Sequence, residues 1–329
     1  MPENNKILRE GNNIDLSIVI PVYNEEENIN DCYAEIKKAL ENKGVKYEII
    51  FVDDGSNDRT NELLHKIYEK DNTVKVIRFR KNFGQTSAMS AGFKHAKGKI
   101  IVSMDADLQN DPNDIPKLLE KINQGYDIVS GWRKNRKDKL FTRRIPSIIA
   151  NKIISLTTGV KLHDYGCTLK AFRSEIIKNI NLYGEMHRFI PAVASWMGTN
   201  ITEVHVNHRP RTKGKSKYGL SRTLKVILDL ITVKFLLSFS TKPIQIFGIF
   251  GILSLFFGTL FFTIIIIQRQ FFSIPADRPL LLISVFLIFT GIQFILMGLL
   301  AEIQIRIYHE SQHKPTYVIK NILEHNEPN

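Results

Sequence analysis

Two runs near the C-terminal end constrain this chain more than any other feature. No charged residue occurs between Lys242 and Arg269, and none between Arg278 and Glu302. Both runs reach the about 20 apolar residues that a bilayer-crossing helix needs. From Ile244 to Ile267 the chain holds eight Ile, six Phe and three Leu. At roughly −0.3 to −0.6 kcal/mol each, membrane insertion is favoured by about 5–10 kcal/mol as an upper bound. A pair of buried core helices is the competing reading. The short connection "RQFFSIPADR" weighs against it, because each run it joins is long enough to span. The expectation is a hairpin of transmembrane helices over 243–268 and 279–301. The flank before it holds Arg222, Lys225, Lys234 and Lys242, and the flank after it Arg306, Lys314 and Lys320, against only Arg269 and Arg278 in the connection. Positive charge marks the cytoplasmic side, so both termini and the large N-terminal part are expected there, on the inner membrane.

The chain has 329 residues, with 45 Lys+Arg against 33 Asp+Glu and a formal net charge of +12. Such an excess suits anionic partners: nucleic acid, phosphorylated substrates or an anionic membrane surface. Cys32 and Cys167 are the only cysteines. They give neither a disulfide framework nor metal-ligand spacing and read as reduced thiols. The first 14 residues carry no apolar segment of signal-peptide type and are expected to form a flexible arm.

Residues 15–220 read as a catalytic α/β domain. Short apolar runs at Leu16–Pro21, Tyr47–Asp54, Val74–Phe79, Lys99–Asp105 and Tyr126–Trp132 predict strands. Helical spacing over Glu26–Lys43, Arg59–Lys70, Gln85–Lys97 and Pro112–Asn123 fills the intervals. Alternation of this kind implies βαβ units and a mostly parallel sheet, whose ligands bind beyond the carboxyl ends of the strands. Four of those ends are polar: "PVYNEEEN", "DDGSNDRT", "RKNFGQ" and "DADLQNDP".

The last of these is chemically the most pointed. Asp105 and Asp107 follow a buried strand at once, and burying charge is costly unless it is paired or holds a metal. No phosphate-cradling glycine loop of dinucleotide or Walker type occurs, so a bound diphosphate needs its charge met differently. Hard carboxylate oxygens, with the amide oxygen of Gln109 two residues on, suit Mg²⁺ or Mn²⁺ bridging phosphates. His65, His95, His163, His205 and His208 have no metal-ligand spacing. Trp132 and Trp196 read as core packing, and Gln293, in the middle of the second span, as a polar residue bonding between helices or between chains.

The blocks "VIPVYNEEENI", "IIFVDDGSNDRT", "KNFGQTSAMSAGFKHAKG", "MDADLQNDP", "YDIVSGWR", "DYGCTLKAF" and "HRPRTKGKSKYG" occur in this order. Together they resemble family 2 glycosyltransferases of the GT-A nucleotide-sugar-binding fold, over roughly residues 15–310. The two spans narrow the resemblance to polyprenyl-phosphate glycosyltransferases, such as dolichyl-phosphate mannose synthase, bactoprenol glucosyltransferase and undecaprenyl-phosphate formamido-arabinose transferase. The resemblance implies inverting transfer of one sugar from a nucleotide sugar, UDP-linked, to a polyprenyl phosphate, with a divalent ion. It places Pro21, Tyr23 and Glu25 around the nucleotide base, and Asp53 and Asp54 by the base and ribose. Asp105 lies near the nucleotide, and Asp107 and Gln109 match metal ligands. Arg133 lies near the transferred phosphates, Asp164 near the acceptor, and Arg211 and Lys217 on the diphosphate or acceptor phosphate. Homo-oligomers through the spans are implied by the family; no nucleic-acid partner is.

The residues agree with that reading. Three phosphates meet in such a reaction, so flexible basic residues must help one metal ion, and Gly214 and Gly219 let the basic segment move. The same segment also reads as a patch on anionic lipid heads. Residues 221–242, and "IPSIIANKIISL" with Arg143, Arg144 and Lys152, read as amphipathic juxtamembrane segments, and 302–329 as a cytoplasmic tail. Two other functions stay open. A processive polysaccharide synthase shares the catalytic domain but carries a QxxRW motif and more spans. A non-catalytic lipid-binding or flippase-like membrane protein needs no intact acidic and basic halves.

Overall fold

The computed structural model describes residues 14–41, 43–134, 151, 154–155, 159–182, 184, 186–210, 243–272 and 278–311. The chain divides into two compact units, residues 1–233 and 234–329. Arg211, Lys217, the N-terminal arm, the juxtamembrane segment and the tail beyond 311 lie outside the described residues.

In the first unit, β1 (Leu16–Val22), β2 (Tyr47–Asp53), β3 (Val74–Arg78), β4 (Ile100–Ser103), β5 (Ile128–Trp132), β6 (Lys170–Arg173) and β7 (Ile201–His205) form one sheet. Its order is β3-β2-β1-β4-β6-β5-β7. The pairs β1–β2, β1–β4, β2–β3 and β5–β7 are parallel, and β6 runs antiparallel to both β4 and β5. The helices α1 (Ile29–Leu40), α2 (Thr60–Lys70), α3 (Gln85–His95) and α4 (Ile115–Asn123) stand between the strands where the spacing predicts them, each matching or falling a few residues short of its expected span. On α1 the buried residues Ile29, Cys32, Ile36, Ala39 and Leu40 trace one stripe. That stripe meets fully buried Ile18, Ile20, Ile49 and Phe51, which alternate along β1 and β2 and share one core cluster with it. The parallel strands β1 and β2 are buried on both faces, which is why they read as continuous apolar runs.

Two strands escape the sequence reading. β6 has only four residues, one of them a lysine, and β7 reads "ITEVH" with no apolar run. Of the two, β6 shapes the ligand edge. Lys170 pairs with Ser103 of β4 and with Ser130 of β5, so the N-terminal end of β6 lies beside the carboxyl ends of both. The chain entering β6 is thereby delivered to that edge.

In the second unit, helices span Pro243–Phe272 and Arg278–Ser311. Both are long and apolar enough to cross a membrane, with mean hydropathy 2.5 over Ile244–Phe271 and 2.6 over Pro279–Gln304. Gly251 and Gly258 on the first helix face Gly291 and Ser284 on the second. A Cβ on Gly251 would stand 2.7 Å from Ile295 Cγ1 and 3.0 Å from the Gly291 oxygen, so the glycines let the backbones approach. The seven-residue spacing is that of left-handed helix pairs. The opposite faces expose Phe250, Phe286 and Phe289, and apolar surface of this extent suits lipid. Gln293 faces outward rather than into the helix pair.

One polar cluster ties α1 to the entry of β3. Asp71 accepts from Tyr33 Oη at 2.7 Å, Thr73 N at 2.8 Å and Thr73 Oγ1 at 2.7 Å, and pairs with Lys37 at 2.9 Å. Burial opposes its charge, but Lys37, Thr73 and Tyr33 prevail and hold the carboxyl well below its ordinary value of 3.8. A depressed value means that the stabilisation is complete above the ordinary value and fades as pH falls through the lowered one. Asp71→Ala should therefore cost about 1–3 kcal/mol at pH 7. The deficit should shrink in strong acid. Denaturation followed by the fluorescence of Trp132 and Trp196, both in this unit, measures it.

Candidate active site

The carboxyl ends of β1, β2, β4 and β5 converge on one edge, and the β1–β4 boundary is the point where strand order reverses. A cleft opens there, lined among others by Pro21, Tyr23, Glu25, Asp54, Asp105 and Asp107. Six of the residues expected at a nucleotide and metal site thus share one wall.

The cleft is held by cross-links between loops. Asn24, at φ 52, donates its N–H to Ser56 Oγ at 2.9 Å and accepts from Asn57 N at 2.9 Å. Glu25 N–H donates to Thr60 Oγ1 at 2.9 Å, and its carboxylate accepts from Asn28 Nδ2 at 2.7 Å. Asp53 and Asp54 part company. Asp53 is fully buried behind the cleft, accepts from Ser56 N at 2.9 Å and faces Arg78 Nε at 3.5 Å. Asp54 reaches the cleft and accepts from the N–H groups of Phe83 at 2.7 Å and Gly84 at 2.9 Å. Burial raises its carboxyl above the ordinary 3.8, with Asp53 adding to the rise and the two N–H groups pulling against it. Gly55, at φ +72, lets this turn touch the 81–82 backbone, where a Cβ would stand 2.5 Å from the Lys81 carbonyl carbon.

Asp105 Oδ1 accepts from Gln85 Nε2 and Oδ2 from Thr168 Oγ1, each at 2.8 Å. Burial, then the charge of Asp107, pushes the Asp105 carboxyl up to about 6. Two carboxylates pressed together in a cleft form a place where a cation is favoured. Among the described residues no three His, Cys, Asp or Glu side chains group to hold a metal. An ion here would rest on one or two carboxylates and on a ligand's own phosphate oxygens. Gln109 stands off the cleft wall. Its N–H donates to Asp107 Oδ1 at 3.2 Å, and its Nε2 lies 3.5 Å from the Arg209 oxygen.

Beyond Asp105 lies the second charged pair. Arg133 follows β5, and its Nε and Nη2 donate to Asp164 Oδ2 and Oδ1 at 2.7 and 3.0 Å, a two-pronged ion pair. Burial disfavours the guanidinium charge, but Cys167, Asp164 and Asp105 outweigh it and hold the group above its ordinary value. Lys170 lies buried beneath, donating from Nζ to the Tyr165 oxygen at 3.1 Å and to the Cys167 oxygen; burial brings it down to about 8. The residues before the pair are also joined. Trp132 stacks on His163 at 3.9 Å and lies tilted against His205 at 4.3 Å, and His163 Nδ1 meets Glu203. Trp132 is therefore packed, whereas Trp196 is 50% exposed, against the expectation of a core role.

Several participants carry no signal in the linear sequence. Gln85 is recognisable only as a polar residue opening a helix behind Gly84, and Thr168 only as the hydroxyl within "DYGCTLKAF". Arg209 pairs with Glu35 at 2.6 Å and Asp111 at 2.9 Å, and its N–H donates to the Gln109 oxygen at 3.0 Å. Its partners lie about a hundred residues or more away in the chain, which no local pattern reveals.

The chain is similar to several known proteins. The family model described as Glycosyl transferase family 2 matches residues 17–180. A dodecaprenyl-phosphate galacturonate synthase of Rhizobium johnstonii is 41% identical over 319 residues, covering 94% of each chain. An undecaprenyl-phosphate 4-deoxy-4-formamido-L-arabinose transferase of Edwardsiella ictaluri is 38% identical, covering 95% of each. Among solved structures, a glucosyl-3-phosphoglycerate synthase from Mycobacterium tuberculosis, in complex with Mn²⁺, uridine diphosphate and phosphoglyceric acid, superposes with a TM-score of 0.53 at 17% identity. It covers 68% of this chain and 78% of that one, a likeness of fold. The match of the family model across the strand ends that build the cleft, and of relatives from one end of the chain to the other, make this chain a member of glycosyltransferase family 2.

Proposed function

We propose that the chain transfers one sugar from a nucleotide sugar, UDP-linked, to a polyprenyl phosphate at the cytoplasmic face of the inner membrane. One observation carries this above all. The acidic cleft stands at the strand-order reversal of a chain that resembles two polyprenyl-phosphate sugar transferases along almost its whole length. Pro21, Tyr23, Glu25 and Asp54 line the part of the cleft assigned to the nucleoside. Asp53 serves them from behind by fixing the turn at Ser56. Asp107, which lines the cleft, would hold Mg²⁺ or Mn²⁺ together with Gln109 two residues on, with Asp105 beside them. When bound, the ion offsets diphosphate charge and eases departure of the nucleoside diphosphate. Both termini are cytoplasmic, the apolar helices contact membrane lipids, and copies associate through them.

The acceptor sets the demands on the remaining residues. A phosphate monoester has a second pKa of about 6 and is largely dianionic near neutral pH. It is already a nucleophile and needs no general base. It needs cationic groups to bring it beside an anionic donor, and proximity supplies much of the rest. Arg133 is such a group, and Arg211 and Lys217 extend it. Asp164 has both oxygens committed to Arg133, which makes it the residue that aims the guanidinium.

The direct experiment gives the purified full-length protein undecaprenyl phosphate and a panel of nucleotide sugars, followed by mass spectrometry of the lipid. Addition of a single sugar to the lipid phosphate is expected with one donor. Polymeric product would favour the processive synthase, and no product with any donor the non-catalytic reading. With the active donor, Asp107→Ala should lower turnover at least about 100-fold, the scale of losing a principal electrostatic stabiliser. Full activity in excess EDTA would remove the metal from the account. Asp164→Asn should keep more activity than Arg133→Ala, with no recovery at high pH. Abolished transfer with donor binding intact, rescued by raising pH, would instead make Asp164 the base.

A further inference from the structure

The loop over residues 105–110 has an awkward shape. Leu108 sits at φ 60, a left-handed conformation that a bulky residue without a local polar side chain rarely adopts. The reversal gives this short loop its path between Asp107 and Gln109, while the Leu108 side chain packs against the core. A loop bent this way keeps its shape only if its surroundings over-determine it.

Its two ends meet at a single hydroxyl. Thr168 Oγ1 donates to Asp105 Oδ2 at 2.8 Å, at the start of the loop. The same oxygen accepts from Asn110 Nδ2 at 2.9 Å, at its end. Thr168 is itself fixed, because its carbonyl accepts from Ser103 Oγ at 2.7 Å and buried Lys170 holds the preceding turn through the Tyr165 and Cys167 oxygens. Gln85 completes the hold on Asp105 from the other side. The segment that carries Thr168 also carries Asp164, so one short stretch touches both charged parts of the site. We infer that Thr168 is a positioning residue: its hydroxyl closes the 105–110 loop in the bent form that presents Asp107 and Gln109 together. The part of this that concerns metal binding rests on the proposed metal site; the part that concerns loop shape does not.

Thr168→Val keeps the side-chain volume and removes the hydroxyl, and Thr168→Ser restores it. Hydrogen exchange of the metal-free full-length protein, read on peptides spanning 105–111, should quicken about tenfold in Thr168→Val and return near the original rate in Thr168→Ser. Peptides from β1 and β2 should not change. Mn²⁺ affinity in the presence of UDP, read by electron paramagnetic resonance, should fall about tenfold in Thr168→Val, the scale for residues that orient metal ligands, and recover in Thr168→Ser. Should Thr168→Val fail to fold, Asn110→Ala, which cuts only the far bond, carries the same two readings in the same direction. Unchanged loop exchange would overturn the inference. So would a Thr168→Ser protein as impaired as Thr168→Val, or faster exchange spread over the whole sheet. Should the unaltered protein bind no Mn²⁺ with UDP, the metal assignment falls, and the exchange comparison still decides the role of Thr168.

Discussion

Two carboxylates two residues apart, Asp105 and Asp107, line one cleft, Asp107 buried and Asp105 half-buried. Repulsion between them is the cost around which the rest of the site is arranged. Gln85 and Thr168 each give Asp105 a hydrogen bond. Arg133 and Lys170 stand close enough to lower its carboxyl, yet burial and Asp107 still hold it up. Four carboxylates, Glu25, Asp54, Asp105 and Asp107, line the cleft, and among the described residues no lysine or arginine lines it. A protein selected for stability alone would have little reason to keep this arrangement.

The sheet topology is what makes such crowding feasible. The parallel pairs β1–β2 and β1–β4 put the ends of those three strands at one edge, and β6, antiparallel to both β4 and β5, turns β5 to end there too. The antiparallel β6 then brings a fifth loop to that edge from the opposite direction. Without it the 164–168 segment would have no route to Asp105. Through it, Asp164 meets Arg133 and Thr168 meets Asp105 within a few residues of each other. β7 follows β5 in parallel, so the chain after it runs to the same edge and Arg209 joins the loop carrying Gln109.

Legibility in the sequence followed the range of the interactions. Apolar runs marked β1 to β5, continuous where a strand is buried on both faces and broken by Lys75 in the edge strand β3, and charge-free length marked both apolar helices. Asp105, Asp107 and Arg133 could be picked out because a charge directly after a buried run is conspicuous. β6 and β7 were illegible: one is four residues long, and the other is half-exposed at the sheet margin. Asp53 and Asp54 look alike in the chain, yet Asp53 is fully buried and paired with the exposed Arg78, whereas Asp54 lines the cleft, a distinction made by backbone direction at the strand end. Gln85, Thr168 and Arg209 act on partners 20, 63 and 174 residues away respectively, among others, and only the assembled sheet brings them there.

The central claim is that the acidic pair exists to seat a divalent cation against a nucleoside diphosphate. The most direct measurement is an anomalous difference map from crystals of the full-length protein grown with Mn²⁺ and UDP. The account predicts one strong manganese peak at ligating distance from Asp107, bridged to the diphosphate oxygens, with Asp105 alongside. Nucleotide bound in the cleft with no manganese peak at Asp107, or with the peak elsewhere, would contradict it.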